Sequence, residues 1–275
     1  MIVILKSLSA NVAQQIVLGH FLFNLLIVAF FIFFLKPFAR LIEKIIPGEE
    51  EILPLWPEFL DDRCLASPEE ALMCVRKELQ REIILVQKIF VESLLLVKDY
   101  KEWKRQNVNY VEFVVDVLRR EIVNFLRKIS CLQLSPEFSQ KLFTYTAMAN
   151  DIERIGDHAV ILAKLASNKY EAEVSFTEMG KKDLGEIEQR ATENLRDAVS
   201  LIEERNVEKI KNIFLREADI DVKVKEARER HLVRYYEGIC QAEAGPIFVE
   251  VLIHLERISD LCENVAEYVD ELKDF

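Results

Sequence analysis

One five-residue pattern occurs twice in this chain and constrains its fold more than any other feature. The pattern Glu-Arg-Ile-x-Asp is found at 153–157 and again, 103 positions later, at 256–260. A second pattern, Glu-x-x-x-Asp, recurs at an offset of 105, at 112–116 and 217–221. Such similar offsets indicate that the chain contains two copies of one structural unit.

The residues around these patterns are typical of long helices. Glycine and proline number only seven each among 275 residues, too few for the turns of a sheet-rich fold. Apolar residues recur with helical spacing, and polar residues, Pro or Gly separate the stretches. The sequence therefore predicts an all-α fold of two tandem antiparallel three-helix bundles. The predicted helices lie near 68–99, 106–130, 136–167, 176–205, 207–236 and 243–273.

The first 46 residues have a different composition, and they predict a membrane anchor. Residues 16–35 carry no charged side chain, and this length is about what a ~30 Å hydrocarbon core requires. Lys36, Arg40 and Lys44 follow the run, whereas a cleaved signal peptide has its charges before a shorter apolar stretch. The positive-inside tendency then places residues 47–275 in the cytoplasm. We expect a single-pass protein of the cell (inner) membrane, with its transmembrane helix at about 16–35.

Two polar residues, His20 and Asn24, lie four positions apart inside this run and so on one helix face. Polar side chains in a membrane usually face other protein, so we expect them to contact neighbouring membrane helices. A position near the helix end, with both side chains reaching the interface, is the alternative.

The rest of the chain divides into a linker and the two repeats. Proline and acidic residues are concentrated at 47–67, which predicts a linker. The first repeat is then expected at 68–168 and the second at 169–275.

Charge and cysteine content argue against a nucleic acid partner and against a cysteine metal site. The first 46 residues hold four basic residues and one acid, whereas the remaining residues hold 32 basic and 46 acidic ones. An acidic domain repels nucleic acid phosphates but attracts cations, so no nucleic acid partner is expected. The five cysteines form no Cys-x-x-Cys pair. They are expected to be reduced and mostly buried, and no cysteine metal site is expected.

Glu followed four residues later by Asp occurs six times, and four of these pairs lie in repeat register. Residues four apart share a helix face, where two like charges destabilise each other. Carboxylates beside an apolar stripe are costly unless they are paired or coordinated. Cations bound through oxygen would offset that cost. The candidate metal ligands are Glu112, Asp116, Glu153, Asp157, Glu217, Asp221, Glu256 and Asp260.

Arginine pairing is the alternative to metal at these positions. Arg154 and Arg257 directly follow two of the glutamates. Neighbouring helix residues point about 100° apart, so these arginines could brace a ligand from outside the coordination sphere. The remaining pairs, 58/62 and 193/197, are interpreted as surface charge.

These residues resemble a known family. Glu-Arg-Ile-Gly-Asp-His at 153–158, the repeated Glu-x-x-x-Asp pairs and the doubled three-helix plan are similar to PhoU, the regulator of phosphate uptake. The second repeat departs from the motif, with Ser259 in place of glycine and Leu261 in place of histidine. The resemblance implies multinuclear metal clusters held by the carboxylates, one cluster per repeat. Iron is the metal implied first, with Mn, Zn or Mg as the others.

The membrane segment resembles a second family. Gly19-His-Phe-Leu-Phe-Asn24 and the aromatic run after it are similar to the last transmembrane helix of bacterial type II sodium/phosphate cotransporters. Residues 59–72 resemble the join between that helix and a fused PhoU-like domain. The re-entrant repeats and Gln-Ser-Ser motifs of the cotransporter core are missing. The resemblance implies a regulatory module, not an enzyme, whose partner is a phosphate transporter core or its helices, with homo-oligomerisation left open.

Two other functions remain alternatives at this point. A di-metal carboxylate enzyme of the ferritin-like kind uses Glu-x-x-His on two helices, and the nearest approach, Glu250 with His254, has the wrong spacing. A scaffold with surface charge and no metal is the other alternative.

Overall fold

The computed structural model describes residues 12–45, 53–132 and 134–272, with side chains omitted at 43–45. Within these ranges the chain forms seven α-helices, one short 3-10 helix at Asp62–Ala66 and no strand. The helices are α1 (Val12–Ile45), α2 (Pro68–Lys98), α3 (Glu102–Ser130), α4 (Pro136–Glu171), α5 (Glu178–Glu203), α6 (Val207–Tyr236) and α7 (Ala244–Glu271). The predicted all-α fold is confirmed. The chain divides into two compact units, Met1–Ile52 and Leu53–Phe275.

The first unit contains α1, which is longer than the predicted helix at 16–35. Its 34 residues correspond to about 51 Å of helix, and residues 12–42 are apolar enough to cross a membrane by length and composition. The helix continues through Pro37, although a proline there lacks the N–H of one helical hydrogen bond and its ring crowds the carbonyl four residues earlier. His20 and Asn24 are exposed on α1, so their contact with other helices stays a prediction. Lys6 and residues 47–52 of the linker lie outside the described residues.

The second unit contains two three-helix bundles, as predicted. The first bundle packs α2, α3 and α4 together, and the second packs α5, α6 and α7. Side-chain caps fix where several helices begin. Ser67 accepts from the Glu70 N–H ahead of Pro68, and Ser135 accepts from the Phe138 N–H ahead of Pro136. A cap followed by proline is the usual start of a helix, which is why these boundaries could be predicted.

The two bundles meet through α4 against α7 and α2 against α5. Asp151 of α4 is buried at this interface, where its Oδ2 accepts from Asn264 Nδ2 at 3.0 Å and from the Tyr268 hydroxyl at 2.9 Å. Both donors belong to α7. A buried carboxylate with this many donors ties the two bundles together.

The helix ends repeat with the same spacing as the motifs. α2 ends at Lys98 and α5 at Glu203, 105 positions apart, and α3 and α6 begin at Glu102 and Val207, also 105 apart. Residues of α2 and α3 therefore correspond to residues of α5 and α6 at a fixed offset of 105.

Two predicted breaks are helical in the structure. The polar stretch after Lys101 already belongs to α3, where Lys104 Nζ lies 2.6 Å from Glu92 Oε1. The stretch after Ser167 continues α4, with the Ser167 hydroxyl donating to Glu171 and Lys169 Nζ to the Val97 carbonyl oxygen. Polar side chains that find such partners do not interrupt a helix. The two predictions were wrong for that reason.

The expectation of five reduced and mostly buried cysteines was also wrong. Cys64, in the 3-10 helix, forms a disulfide with Cys74, in α2. The tight join between these two helices brings the Cα atoms to 6.9 Å across only ten residues. Of the three free cysteines, Cys131 is exposed and Cys262 is buried.

Candidate functional site

The predicted ligands of the second repeat come together across two helices. We call Glu217, Asp221, Glu256 and Asp260 the second cluster. Glu217 and Asp221 lie one turn apart on α6 and face Asp260 on α7, and one carboxylate oxygen from each of these three lies within 4.8 Å of the others. That spacing suits oxygen atoms that share a cation.

Repulsion and burial shift the protonation of the second cluster. Partial burial and the neighbouring Asp221 and Glu263 carboxylates raise the pKa of Glu217 to about 7. Burial, together with the Asp221 carboxylate, also raises the pKa values of Glu256 and Asp260. Several carboxylates are therefore held at a spacing that disfavours full ionisation without a counter-charge.

The predicted ligands of the first repeat also come together. We call Glu112, Asp116, Glu153 and Asp157 the first cluster. Burial raises the pKa values of Glu112, Glu153 and Asp157, and the other carboxylates of the cluster raise them further. Within the described part of the chain, however, no three of these acids approach each other as closely as those of the second cluster.

An arginine separates the carboxylates of the first cluster. Arg119 lies one turn after Asp116 on α3, and its Nη2 donates to Asp116 Oδ1 at 3.2 Å. Its Nε lies 3.4 Å from Glu153 Oε1 on α4, without hydrogen-bond geometry. The guanidinium therefore supplies a positive charge between α3 and α4.

A buried glutamate lies behind this arginine. Glu82 of α2 is fully buried, and neither of its carboxyl oxygens has a hydrogen-bond partner. Burial raises its pKa well above the ordinary value, the Glu153 carboxylate raises it further, and Arg119 opposes the shift. A buried, unpartnered carboxyl is costly, and this one lies among the charges of the first cluster.

The two arginines predicted to brace ligands behave differently. Arg257 Nη1 donates to Asp260 Oδ2 at 3.1 Å, so it contacts a second-cluster acid. Arg154 Nη1 donates at 3.2 Å to Asp151, the carboxylate at the bundle interface. Of these two arginines, only Arg257 donates a hydrogen bond to a predicted ligand, so only Arg257 is placed to brace one.

The donor set of both clusters fits a hard or borderline cation. All eight predicted side chains offer carboxylate oxygens, which are typical ligands of Mg²⁺, Mn²⁺ and iron, whereas zinc sites mostly use Cys and His. The pairs at 58/62 and 193/197 have basic partners from other elements: Arg216 contacts Asp197, and Lys128 contacts Asp62 at 2.7 Å.

Three residues near the clusters were missed from the sequence. Arg119 follows Asp116 by three positions, a spacing that puts both on one face. Glu82, like Glu78, interrupts the apolar stripe that includes Leu79 and Ile83. Glu263 follows Asp260 by three positions, and its pKa is raised by burial and by the Glu267, Asp260 and Asp221 carboxylates. In each case the spacing was a usable signal.

Comparison with known proteins assigns the family. The PhoU domain profile matches residues 79–166 and residues 184–269, one match in each bundle. The chain belongs to the PhoU domain family. The matches contain all eight predicted ligands and Glu82 and Arg119, and they do not extend to α1.

Two curated proteins are similar to the PhoU part of the chain. One is the phosphate-specific transport system accessory protein PhoU homolog of Clostridium acetobutylicum, 27% identical over 56% of this chain and 70% of its own length. Another is the phosphate-specific transport system accessory protein PhoU homolog 1 of Thermotoga maritima, 23% identical over 73% of this chain and 86% of its own length.

Solved PhoU structures have the same fold. PhoU from Pseudomonas aeruginosa superposes with a TM-score of 0.71, at 20% identity, over 76% of this chain and 99% of that one. The phosphate transport system regulatory protein PhoU from Streptococcus pneumoniae gives 0.66, at 16% identity, over 75% and 97%. Identities this low show a shared fold alone.

Proposed function

We propose that this protein is a membrane-anchored regulatory module that binds metal and modulates sodium-dependent phosphate uptake. The observation that carries the proposal is the pairing of a PhoU match with neighbouring carboxylates in each of two bundles, closest in the second. The similar proteins from Clostridium and Thermotoga are described as accessory to phosphate transport, which supports the regulatory role.

Metal binding is the part of the proposal that the clusters support. Each offers four carboxylates on two facing helices, and the raised pKa values reflect charge that a cation would neutralise. We propose multinuclear sites, with iron first and manganese, zinc or magnesium as the alternatives. The ligands would be the eight acids of the two clusters, with Arg257 bracing Asp260.

Elemental analysis tests this part. Full-length protein purified without chelator should contain about one or more transition or alkaline-earth ions per cluster. Glu153→Ala with Asp157→Ala should remove the metal of the first cluster, and Glu256→Ala with Asp260→Ala that of the second. Glu58→Ala with Asp62→Ala is the matched control outside the clusters. Background metal in the unmutated protein would leave only ion pairing as the role of these acids.

Anchoring at a transporter is the other part of the proposal. α1 is long and apolar enough to span a bilayer, and basic residues follow its apolar run, which favours cytoplasmic residues 47–275. Holding the module at the membrane would raise its effective concentration near a transporter. We propose that the partner is the membrane core of a sodium/phosphate cotransporter, of which this chain would be the C-terminal part or a detached companion.

Fractionation and cross-linking test the anchor. The full-length protein should pellet with membranes and resist carbonate extraction, unlike a variant lacking residues 1–46. His20→Leu with Asn24→Leu should remain in the membrane and lose its cross-linked partner. Equal extraction of both proteins would rule out the anchor, and an unchanged cross-link would rule out only the contact through His20 and Asn24.

Phosphate uptake by the native host tests the regulatory role. Sodium-dependent uptake of labelled phosphate should change its response to external phosphate when the gene is deleted. The unmutated gene should restore the response, whereas a gene with both clusters neutralised should not. A response that deletion leaves unaltered would contradict a role in phosphate uptake.

A further inference from the structure

The two acidic clusters differ at two positions next to them. At the fixed offset of 105, Glu82 and Arg119 of the first repeat correspond to Ile187 and Val224 of the second. Ile187 and Val224 are both buried apolar residues. The first repeat thus has an acid and a base where the second repeat has a hydrocarbon pair.

The base lies against one carboxylate from each helix of the first cluster. Arg119 Nη2 lies 3.2 Å from Asp116 Oδ1, and its Nε lies 3.4 Å from Glu153 Oε1. Val224, its counterpart, leaves Glu217, Asp221 and Asp260 within 4.8 Å of one another. A guanidinium and a metal ion repel each other and compete for the same oxygen atoms.

The acid offers the guanidinium another set of acceptors. Glu82 has two buried oxygens without partners, and Arg119 and Glu153 are among its charged neighbours. Arg119 Nε is likewise buried without a hydrogen bond. Both orphaned groups would be satisfied if the guanidinium turned from the cluster toward Glu82.

We infer that Arg119 is an internal competitor for the cation of the first cluster and that Glu82 receives it when an ion binds there. The second cluster has Val224 at the corresponding position, and its own arginine contact comes from Arg257, which donates to Asp260 from the same helix. The second cluster therefore binds divalent cations more tightly. This inference rests on the proposed metal-binding function. Arg119 and Glu82 are positioning residues in it and coordinate no metal.

Mn²⁺ titration of the full-length protein in detergent micelles, followed by calorimetry and by the electron spin resonance of free Mn²⁺, tests the inference. The first cluster is measured in a Glu217→Gln, Asp260→Asn background. There Arg119→Met should lower the Mn²⁺ dissociation constant about tenfold or more, the usual size of an effect from a group beside a metal site. Arg120→Met is the matched control, because Arg120 is exposed and lies 3.5 Å from the same Asp116. It should change the constant about threefold or less.

The role of Glu82 has its own test. Glu82→Ile should weaken Mn²⁺ binding, because Arg119 then has nowhere to turn, and Glu82→Ile with Arg119→Val should bind as tightly as Arg119→Met. This non-additivity is what a shared contact produces. The double variant has the same residues as the second repeat at these two positions. If a single variant does not unfold cooperatively, the double variant is used for the test instead.

Two failures are distinguishable. An unmutated second cluster that binds no Mn²⁺, measured in a Glu112→Gln, Asp157→Asn background, would contradict the proposed function itself. A second cluster that binds, with Arg119→Met no tighter than Arg120→Met, would overturn only the competition.

Discussion

The imidazoles of His158 and His254 meet across the interface of the two bundles, with their Nδ1 atoms 3.0 Å apart. His158 follows the first cluster on α4, and His254 precedes the second on α7. One ring must donate and the other accept, so the accepting ring is neutral and the two rings cannot both be protonated. Burial and the neighbouring His254 accordingly lower the pKa of His158 to about 4, and burial lowers that of His254.

This contact predicts a loss of stability in mild acid. The pKa of His158 is about 6.5 in an unfolded chain, so its contribution is fully present above pH 6.5 and is lost as the pH falls toward 4. Because the ring is partly exposed, the contribution is on the order of 1 kcal/mol after solvent screening. His158→Leu should flatten the pH dependence of thermal unfolding between pH 7 and 5, and His20→Leu, in α1, should not. Parallel curves for all three proteins would contradict the prediction.

The second cluster predicts a pH effect of opposite sign. The pKa of Glu217 is raised to about 7 in the folded protein. The protonated carboxyl therefore contributes to the stability of the folded state below about pH 4.5, and this contribution is lost as the pH rises through 7. Glu217→Gln should therefore stabilise metal-free protein by about 1 kcal/mol at pH 8 after solvent screening, and hardly at pH 5. Denaturant unfolding after chelation measures it, with the exposed Glu229→Gln on α6 as control. A gain of equal size at both pH values would exclude this titration.

The helices were predictable where the sequence carries a cap or a buried stripe. Ser67-Pro68 and Ser135-Pro136 gave helix starts at the correct residue, because hydroxyl caps and proline act locally. The end of α4 was missed, since Ser167 and Lys169 are held by partners on other parts of the bundle. Local sequence does not contain those partners.

The acidic pairs could be found from the repeat, but their environment could not. Spacing four apart puts Glu112 and Asp116 on one face without any knowledge of the fold. Whether Arg119 turns toward that face or away depends on the distance between α3 and α4. Likewise, the disulfide between Cys64 and Cys74 depends on the fold of the join, and no spacing rule predicts it.

The effect of replacing a glycine by alanine on stability is expected to depend on the backbone conformation of that glycine. A Cβ built on Gly156 would lie in ordinary contact, 3.5 Å from Val86 Cγ2, and one on Gly185 would meet nothing within 4 Å. Both lie inside helices, so replacement by alanine should stabilise each by about 0.5–1 kcal/mol. Gly238 has a φ of +71° at the end of α6, so its replacement by alanine should destabilise the protein by about 1 kcal/mol. Thermal unfolding gives the comparison, and a stabilised Gly238→Ala would contradict it.

The disulfide predicts a specific thiol count. Denatured, unreduced protein should react with a thiol reagent at three cysteines, and reduced protein at all five. In the native protein Cys131 should react first and Cys262 last, since burial raises the pKa of the Cys262 thiol. Mass spectrometry after timed alkylation reports both. Rapid native labelling at Cys64 would show that the bond is absent.

The correspondence between the bundles has a consequence at the glycine of the first motif. Gly156 lies beside Ile89, whereas the matching positions, Ser259 and Asn194, are joined by a hydrogen bond of 2.8 Å. The first copy places an isoleucine side chain against glycine, and the second places an asparagine amide against a serine hydroxyl. Each polar residue of the second copy is the hydrogen-bond partner of the other, so the two positions differ as a pair. The duplicated chain therefore preserves a record of compensated exchanges, and residues grafted from one copy into the other should be moved as contacting pairs.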